Sequence, residues 1–401
     1  MPAFYKVLGY KAILFIKKRI ITKPQPRPVV FAGADASRQL CRAIGQLGAR
    51  NVLVVTDKPL VELGIVDTAI QALEGVGIET HTYDGVLPDP TVNVVDDGLA
   101  VLRQHGCDGV LAFGGGSSID CAKVIALAAT NGFTAVDCVG VNKGKNPPLP
   151  LFAIPTTAGT GSEVTVAAVI SDNETHEKLI VGNRAIVPRA AALDPGIMTG
   201  LPPHITAATG MDALTHAVES YLNDWRTPDT AGFSLAATRL VFDNLERACT
   251  DGGNLEVREA MALASYYGGL AFTSALVGYV HAVSHQLGAH YGIPHGLGNA
   301  VVLPRVLELF RESSSERLAE LARHCGMGSH ADDNVALAQT FIDRVWQLND
   351  AVGIPRTLDA VREADVQVIV DAALKEGNGY PVPRFIERRE CEQVVRGLIA
   401  S

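Results

Sequence analysis

The first half of this chain alternates short β-branched runs with stretches of helical periodicity. Apolar residues recur at three- and four-residue spacing in residues 59–73 and 94–104, which is typical of crossover helices. The runs that predict strands are residues 29–31, 52–55, 80–83, 110–113 and 151–154. Strands that alternate with helices predict a parallel α/β sheet, and such sheets bind ligands beyond the carboxyl ends of their strands.

The character of the sequence changes near residue 200. Leu201, Pro202 and Pro203 interrupt the chain, and long Ala- and Leu-rich helical patterns follow with few strand-like runs. We therefore predict an α/β domain at residues 28–200 and an all-α domain at residues 201–401, preceded by an N-terminal extension at residues 1–27. At 401 residues, 47% of them apolar, the chain can bury a sizeable core without disulfides.

Charge and cysteine content restrict the partners and the compartment. The net charge of -9 comes from scattered acids and bases, whereas nucleic-acid or anionic-membrane binding needs a clustered basic face. We therefore expect a small-molecule partner and no nucleic acid. The seven cysteines form an odd set without a C-x-x-C pair, which is typical of a reduced, cytoplasmic protein.

The N-terminal residues 4–21 mix apolar side chains with lysines and an arginine. Their uninterrupted apolar run is too short to span a membrane, and the basic cluster follows it instead of preceding it as in a signal peptide. We predict a terminal helix that packs on its own protein, without stable membrane insertion. A basic amphipathic segment at a membrane surface or a subunit contact is the alternative.

A glycine-rich loop follows the predicted fourth strand and opens a helix. Gly114, Gly115, Gly116 and Ser117 permit close approach of a ligand to the backbone, and the helix N-terminus offers free N–H groups to phosphate. The loop is therefore a candidate pyrophosphate cradle. It lacks the G-x-G-x-x-G spacing of the usual dinucleotide fingerprint, and a tight turn without a ligand is the alternative.

A second polar loop, residues 155–163, follows the predicted fifth strand. Its Thr156, Thr157 and Thr160 offer hydroxyl groups where a ribose or phosphate could lie, although turn and capping chemistry is the favoured explanation of either loop in isolation. Two such loops on one side of a sheet favour a nucleotide site, and hence a dinucleotide-binding domain.

Asp57 stands just beyond the predicted second strand. Its carboxylate could accept hydrogen bonds from a ribose diol and repel a 2'-phosphate, which favours NAD over NADP. An aspartate in a strand-to-helix turn is the alternative interpretation.

Two pairs of potential metal ligands stand four residues apart, a spacing that puts both members of a pair on one helix face. The pairs are Asp212 with His216 and His281 with His285, and His295 follows in a proline- and glycine-containing turn. Three imidazoles and one carboxylate suit a borderline divalent ion. Any one of these histidines alone would more often be structural, so the prediction depends on the whole set.

With these motifs the chain closely resembles the iron-containing, or group III, alcohol dehydrogenases. The matching segments are residues 114–117, 155–163 and 210–216, and His281 through His295. The resemblance implies that Asp212, His216, His281 and His295 bind the metal and that His285 lies beside the nicotinamide. It implies that both loops hold NAD(P), that Asp57 accompanies preference for NAD, and that Lys178 reaches the cofactor.

The resemblance also implies two domains, with cofactor and metal meeting in the cleft between them, and a homodimer or higher homo-oligomer. Iron is the first expectation for the metal, with zinc as the alternative because the Irving–Williams order favours it. The sequence departs from the family in two places. One is its N-terminal extension, and the other is residues 379–384, which read Gly-Tyr-Pro-Val-Pro-Arg where the family usually ends in Asn-Pro-Arg. Phe272 matches a pocket-lining aromatic position, and core packing is its alternative role.

We therefore expect a metal-dependent, NAD-linked alcohol dehydrogenase that interconverts a small alcohol and its aldehyde or ketone by hydride transfer. The metal would activate the alcohol, and the proton would leave through His285 or solvent. One alternative is a metal- and NAD-dependent lyase of the dehydroquinate synthase type. A non-catalytic assembly protein on the same fold is another.

Overall fold

The computed structural model describes residues 4–175 and 177–400. Contacts divide the chain into two compact units. An α/β unit comprises Gln25–Gly200 together with Gly253–Ala262, and a helical unit comprises the rest of the described chain. The first described element is helix α1 (Phe4–Ile21), which belongs to the helical unit.

The α/β unit contains one large sheet and one small sheet. Its strands are β1 (Val29–Ala32), β2 (Asn51–Val55), β3 (Glu79–Tyr83), β4 (Gly109–Gly114), β5 (Gly140–Val141), β6 (Leu151–Pro155), β7 (Ala167–Ser171), β8 (Lys178–Gly182) and β9 (Ala190–Leu193). Six of them form a parallel sheet in the order β1-β9-β6-β4-β2-β3. The small sheet has the order β5-β8-β7, in which β7 and β8 are antiparallel.

Helices cover both faces of the large sheet. They are α2 (Ala36–Gln46), α3 (Lys58–Glu62), α4 (Asp67–Glu74), α5 (Val92–His105) and α6 (Gly116–Asn131). Leu53 and Val55 of β2 pack in the core cluster with α5 and α6, whereas Val52 and Val54 pack with α2 and α4. Burial on both faces explains why the four central strands β2, β4, β6 and β9 are nearly continuous apolar runs.

The helices that follow β2 and β4 lie on opposite faces of the sheet. Leu73 of α4 packs on one face and Ile119 of α6 on the other, although β2 and β4 are neighbours. This arrangement opens a crevice at the carboxyl ends of β2 and β4, where ligands bind in doubly wound sheets. The predicted parallel sheet is confirmed.

The prediction of a single helix at residues 59–73 is wrong, because the structure has two helices there. The structure divides the segment into α3 and α4, because Gly64 has a φ of 69°, a conformation that glycine adopts without strain and that ends a helix. Residues 94–104, by contrast, lie within the single helix α5. Strand β9 was not predicted, since an alanine run carries little β propensity.

The helical unit begins where Leu-Pro-Pro ends the α/β region. Pro203 opens its first long helix, a position at which proline needs no N–H partner. The helices from there on are α7 (Pro203–Leu222), α8 (Pro228–Thr250), α9 (Leu255–Ala275), α10 (Tyr279–Tyr291), α11 (His295–Phe310), α12 (Ser315–His324), α13 (Asn334–Ala351), α14 (Val366–Gly377) and α15 (Arg388–Arg396). The residues of α9 up to Ala262 belong to the α/β unit, and the rest of α9 belongs to the helical unit. Helix α7 is buried along most of its length, which places its polar side chains inside the unit.

Helix α1 packs on this unit, as the interpretation of a terminal helix on its own protein predicts. Leu14 is buried, the ring of Tyr10 lies 6.0 Å from that of Phe385, and Lys18 Nζ donates to the Asp224 carbonyl at 3.2 Å. Within residues 4–175 and 177–400, no single helix is long and apolar enough to cross a membrane; α9 and α10 pass that test only together, across a bend of 104°.

Candidate metal centre and nucleotide loops

Three helices of the helical unit bring four potential metal ligands together. Asp212 and His216 share one face of α7, His281 lies in the first turn of α10, and His295 is the first residue of α11. All but His295 are buried. The two stretches that the sequence analysis singled out therefore converge in the fold.

The ligand atoms lie at distances that suit one cation. Asp212 Oδ1 is 3.9 Å from the Nε2 atoms of His216 and His281 and 3.5 Å from that of His295. All four ligand atoms lie within 4.8 Å of one another. A tetrahedron with bonds of about 2.1 Å has edges of roughly 3.4 Å, so small adjustments would bring all four into coordination. Three imidazoles and a carboxylate suit iron or zinc.

Glu219 orients one of these ligands. Its Oε2 lies 2.6 Å from His281 Nδ1, and its carboxylate also accepts hydrogen bonds from the backbone N–H groups of Gly278 and Val280 at 2.9 and 2.7 Å. Burial raises the pKa of Glu219 to about 7, and the backbone donors oppose that shift. The contact favours the tautomer that carries the proton on Nδ1, so Nε2 of His281 is free to bind a metal.

Glu219 was missed by the sequence analysis. It lies three residues after His216 and seven after Asp212, on the same face of α7, so the helical spacing contained a signal for it.

Burial also keeps His281 in the form that binds metals. It lowers the pKa of His281 well below the usual value, and the neighbouring imidazoles of His216 and His295 lower it further. A neutral imidazole retains the lone pair that a metal needs.

Phe272 packs on the metal group, which is the set of four potential ligands Asp212, His216, His281 and His295. Its ring lies 4.2 Å from that of His216, with 18° between the planes, and His216 stacks in turn on His281 at 4.7 Å. The aromatic side chain that the resemblance assigned to a pocket wall therefore packs on the imidazole of a potential metal ligand.

His285 lies beside the metal group but has its own partner. Its ring is 5.9 Å from that of His281 and 5.3 Å from that of His295. Its Nδ1 lies 2.6 Å from Glu376 Oε1, which also accepts a hydrogen bond from the Tyr380 hydroxyl at 2.7 Å. Tyr380 stands in the segment where the sequence departs from the family.

A buried amide completes the cluster. Asn299 lies one helical turn after His295 on α11, and its Nδ2 donates to Asp212 Oδ1 at 2.7 Å. The same nitrogen lies 3.1 Å from Nε2 of both His281 and His295. Asn299 was not predicted from the sequence.

In the α/β unit, the glycine-rich and threonine-rich loops pack against each other. Strands β4 and β6 are neighbours in register, so the loops leave the sheet side by side. A Cβ on Gly115 would lie 3.4 Å from Thr157 Oγ1, and one on Gly116 would lie 2.7 Å from Thr160 Cγ2. A larger residue at 116 would push the loops apart, so the glycine is required for their close approach.

The remaining members of the two loops are placed by the backbone. The Thr156 N–H donates to the Gly114 carbonyl at 3.0 Å, and Ser117 lies in the first turn of α6. The first turn of α6 therefore leaves its N–H groups at the carboxyl end of β4, next to the threonine loop.

A buried ionic cluster ties α6 to the second loop. Lys123 Nζ donates to Ser162 Oγ at 3.1 Å and to Thr165 Oγ1 at 2.7 Å, and Asp120 Oδ1 accepts from Ser162 Oγ at 2.5 Å. Burial lowers the pKa of Lys123 to about 8. This pair was not predicted, although an acid and a lysine three residues apart follow the glycine loop directly.

Two of the predicted cofactor residues make local contacts. Asp57 Oδ1 accepts from the Leu60 N–H at 3.0 Å and caps α3, and burial raises the pKa of Asp57. The alternative interpretation gave Asp57 this role in a turn. The contact of Asp57 with the cofactor stays a prediction. Lys178 Nζ pairs with Asp89 Oδ1 at 2.6 Å and donates to Ser171 Oγ at 3.2 Å.

Comparison with known proteins places the chain in a family. Residues 26–195 match the model of iron-containing alcohol dehydrogenases, and residues 206–399 match that of the C-terminal part of the same family. The chain is 43% identical over 354 residues to alcohol dehydrogenase 4 of Schizosaccharomyces pombe, a match covering 87% of this chain and 82% of the relative. It is 40% identical to 1,3-propanediol dehydrogenase of Klebsiella pneumoniae, covering 92% and 96%.

Solved structures agree with this assignment. A crystal structure of 1,3-propanediol oxidoreductase superposes with a TM-score of 0.90 at 38% identity, covering 93% of this chain and 99% of that one. A sulfoacetaldehyde reductase of Bifidobacterium kashiwanohense in complex with NAD+ gives 0.85 at 28% identity, covering 94% and 99%. The chain therefore belongs to the iron-containing alcohol dehydrogenase family, alcohol and aldehyde oxidoreductases that use iron and NAD.

Proposed function

We propose that this chain binds a divalent metal, iron foremost, through Asp212, His216, His281 and His295 and uses it to interconvert a small alcohol and its carbonyl product. The observation that carries the proposal is the convergence of these four ligand atoms within 4.8 Å. Glu219 supports it, because a carboxylate that fixes the tautomer of a ligating imidazole is a common feature of metal sites.

The cofactor in this proposal is NAD, bound at the carboxyl ends of β2, β4 and β6. The packed glycine and threonine loops support a pyrophosphate site there. We assign cofactor binding to Gly114, Gly115, Gly116, Ser117, Thr156, Thr157, Thr160, Asp57 and Lys178. The functional division of the chain, with an extension to residue 27, an NAD-binding part to residue 200 and a metal-binding part beyond it, belongs to the same proposal.

His285 has the geometry of a group that handles the substrate proton. Its Nδ1 faces Glu376, so Nε2 is the nitrogen left to accept a proton from an alcohol or to return it to the carbonyl oxygen. Glu376 holds the ring, and Tyr380 holds Glu376. Asp212, His216, His281 and His295 would hold a divalent ion, whose chemistry is Lewis-acid polarisation of the substrate oxygen, and the glycine and threonine loops would hold NAD, the hydride acceptor.

The substrate we propose is a short-chain alcohol or diol, or the corresponding aldehyde. The relatives are named for alcohol and 1,3-propanediol. We further propose a cytoplasmic protein that assembles as a homodimer or a higher homo-oligomer.

A substrate panel with NAD tests this function. Protein reconstituted anaerobically with ferrous iron is assayed for NADH formation with short alcohols, diols and hydroxy acids, beside protein stripped by a chelator. We expect steady NADH formation only with metal. A lyase of the dehydroquinate synthase type would regenerate NAD within each turnover and accumulate no NADH, and an assembly protein would turn over nothing in the panel.

A further inference from the structure

Asn299 contacts three of the four proposed metal ligands. It is fully buried, and its Nδ2 lies 2.7 Å from Asp212 Oδ1 and 3.1 Å from Nε2 of both His281 and His295. One amide nitrogen therefore caps the triangle formed by three of the four proposed ligand atoms.

The contact with Asp212 is specific to one oxygen. Asn299 donates to Oδ1, the oxygen that lies 3.5–3.9 Å from the three imidazole nitrogens. Asp212 is buried on α7, so its rotation is limited by packing and by this hydrogen bond. The amide therefore fixes which oxygen of Asp212 faces the imidazoles.

The oxygen of the Asn299 amide does not explain why asparagine is present at this position. Asn299 Oδ1 is buried and has no hydrogen-bond partner within the described part of the chain. An apolar side chain of the same shape would remove this unsatisfied oxygen, so packing alone does not favour asparagine here. The donor nitrogen is the part of the side chain with a function.

We propose that Asn299 is a positioning residue of the metal centre, which holds Asp212 Oδ1 in the ligand position and thereby sets metal affinity and coordination geometry. The proposal depends on the proposed four-ligand metal centre. Polar groups that orient metal ligands typically change metal affinity by about 10- to 100-fold when they are removed.

The test compares Asn299→Leu with Asn349→Leu. Asn349 is a matched control, because it is buried in the same unit, donates through Nδ2 to the Ala300 carbonyl at 2.7 Å and also has an unpartnered Oδ1 among described residues. Each purified protein is titrated with Co²⁺ against a competing chelator while the visible absorption of the bound ion is recorded. Circular dichroism checks the fold, and Asn299→Ser replaces the leucine variant if that protein does not fold.

We expect about 10- to 100-fold weaker Co²⁺ binding and an altered absorption spectrum in Asn299→Leu, with wild-type behaviour in Asn349→Leu. Wild-type affinity and spectrum in folded Asn299 variants would overturn the inference, as would equal losses in the Asn349 control. His281→Ala separates the two proposals: if it still binds Co²⁺ like the wild type, the metal centre itself is misassigned.

Discussion

At the scale of single residues, burial changes the acidity of two glutamates that have different hydrogen-bond partners. Burial raises the pKa of both Glu163 and Glu219 to about 7. Glu219 spreads its two oxygens over two backbone N–H groups and His281. Glu163 has one oxygen, Oε1, without a partner in the chain as described. The first carboxyl group therefore orients a ligand, whereas the second destabilises the fold when it ionises.

Glu163→Gln should stabilise the protein at alkaline pH and not at acidic pH. The folded state holds a proton on Glu163 up to about pH 7, whereas the unfolded chain releases it near 4.5. The wild type therefore loses stability as the pH rises from 4.5 through 7, and the variant lacks that loss. We expect a gain on the order of 1–3 kcal/mol at about pH 8 that vanishes near pH 4, below the pKa of the unfolded chain. Urea unfolding at both pH values measures it, and a gain independent of pH would contradict this role.

Asp57 combines a helix cap with a proposed contact to the cofactor, and two substitutions separate them. Asp57→Asn keeps a good capping side chain but removes the charge, whereas Asp57→Gly removes both and costs only a few tenths of a kcal/mol as a cap. Both variants should lower the preference for NAD over NADP, because repulsion of the 2'-phosphate is lost. Ratios of kcat/KM for the two cofactors decide the point. A wild-type ratio in both variants would leave Asp57 as a cap alone.

His281 and His285 stand one turn apart on α10 but should respond differently to alanine. His281→Ala removes a proposed ligand and should abolish metal retention and turnover. His285→Ala should retain the metal and lose about 10²- to 10⁴-fold in rate, the usual size of a general acid–base contribution. Elemental analysis and NADH kinetics with added metal distinguish them. Equal metal loss in both variants would make His285 a ligand.

At the scale of elements, α6 connects the two nucleotide loops. Its first turn lies in the glycine loop, and Lys123, two turns further on, is hydrogen-bonded to residues of the threonine loop and the segment that follows it. The position of one loop is thereby set by the helix that begins at the other. Such coupling would hold two backbone segments in register for the proposed nucleotide.

Lys123→Met should weaken this coupling. Removal of one partner from a buried ion pair typically destabilises a protein by about 3–5 kcal/mol, because the other charge is left uncompensated, here that of Asp120 at 3.8 Å. We expect weaker NAD binding by calorimetry and unchanged metal content. Lys58→Met is the control, since Lys58 forms only an exposed pair with Glu62 and should change stability by less than about 1 kcal/mol. Unchanged NAD affinity in a folded Lys123 variant would refute the coupling.

On the scale of the whole molecule, the chain places its two proposed ligands in different compact units. The metal group draws on α7, α10 and α11 of the helical unit, and the nucleotide loops belong to the α/β unit. Each ligand should therefore stabilise the elements that bind it, by a free energy that grows with the logarithm of its free concentration above Kd.

Hydrogen exchange followed by mass spectrometry measures that stabilisation. Added metal should slow exchange in peptides from α7, α10 and α11, by up to about 100-fold at a free concentration of 100 Kd where local unfolding releases the ion. NAD should slow exchange in peptides spanning residues 113–118 and 155–163. Metal protection confined to the α/β peptides would contradict the assignment of ligands to units.

Local chemistry in the sequence determined the fold class and the candidate ligands. Alternating strand and helix patterns specify a parallel sheet, and a spacing of four residues puts Asp212 and His216 on one face of a helix wherever that helix packs. Asp57 and the glycine loop were placed at strand ends for the same reason, since both depend on neighbours within a few residues.

Only the tertiary structure decided which distant residues complete the sites. Glu219 reaches His281 across 62 positions, Asn299 reaches Asp212 across 87, and Glu376 reaches His285 across 91. Helical spacing places Glu219 on the face of His216 and Asn299 on that of His295, but it does not show which distant side chain each of them meets, because that depends on how the helices pack. The sequence by itself therefore determined the kind of sites proposed for this protein, whereas the packing of α7, α10, α11 and α14 decided which partners hold the side chains of the proposed metal centre in place.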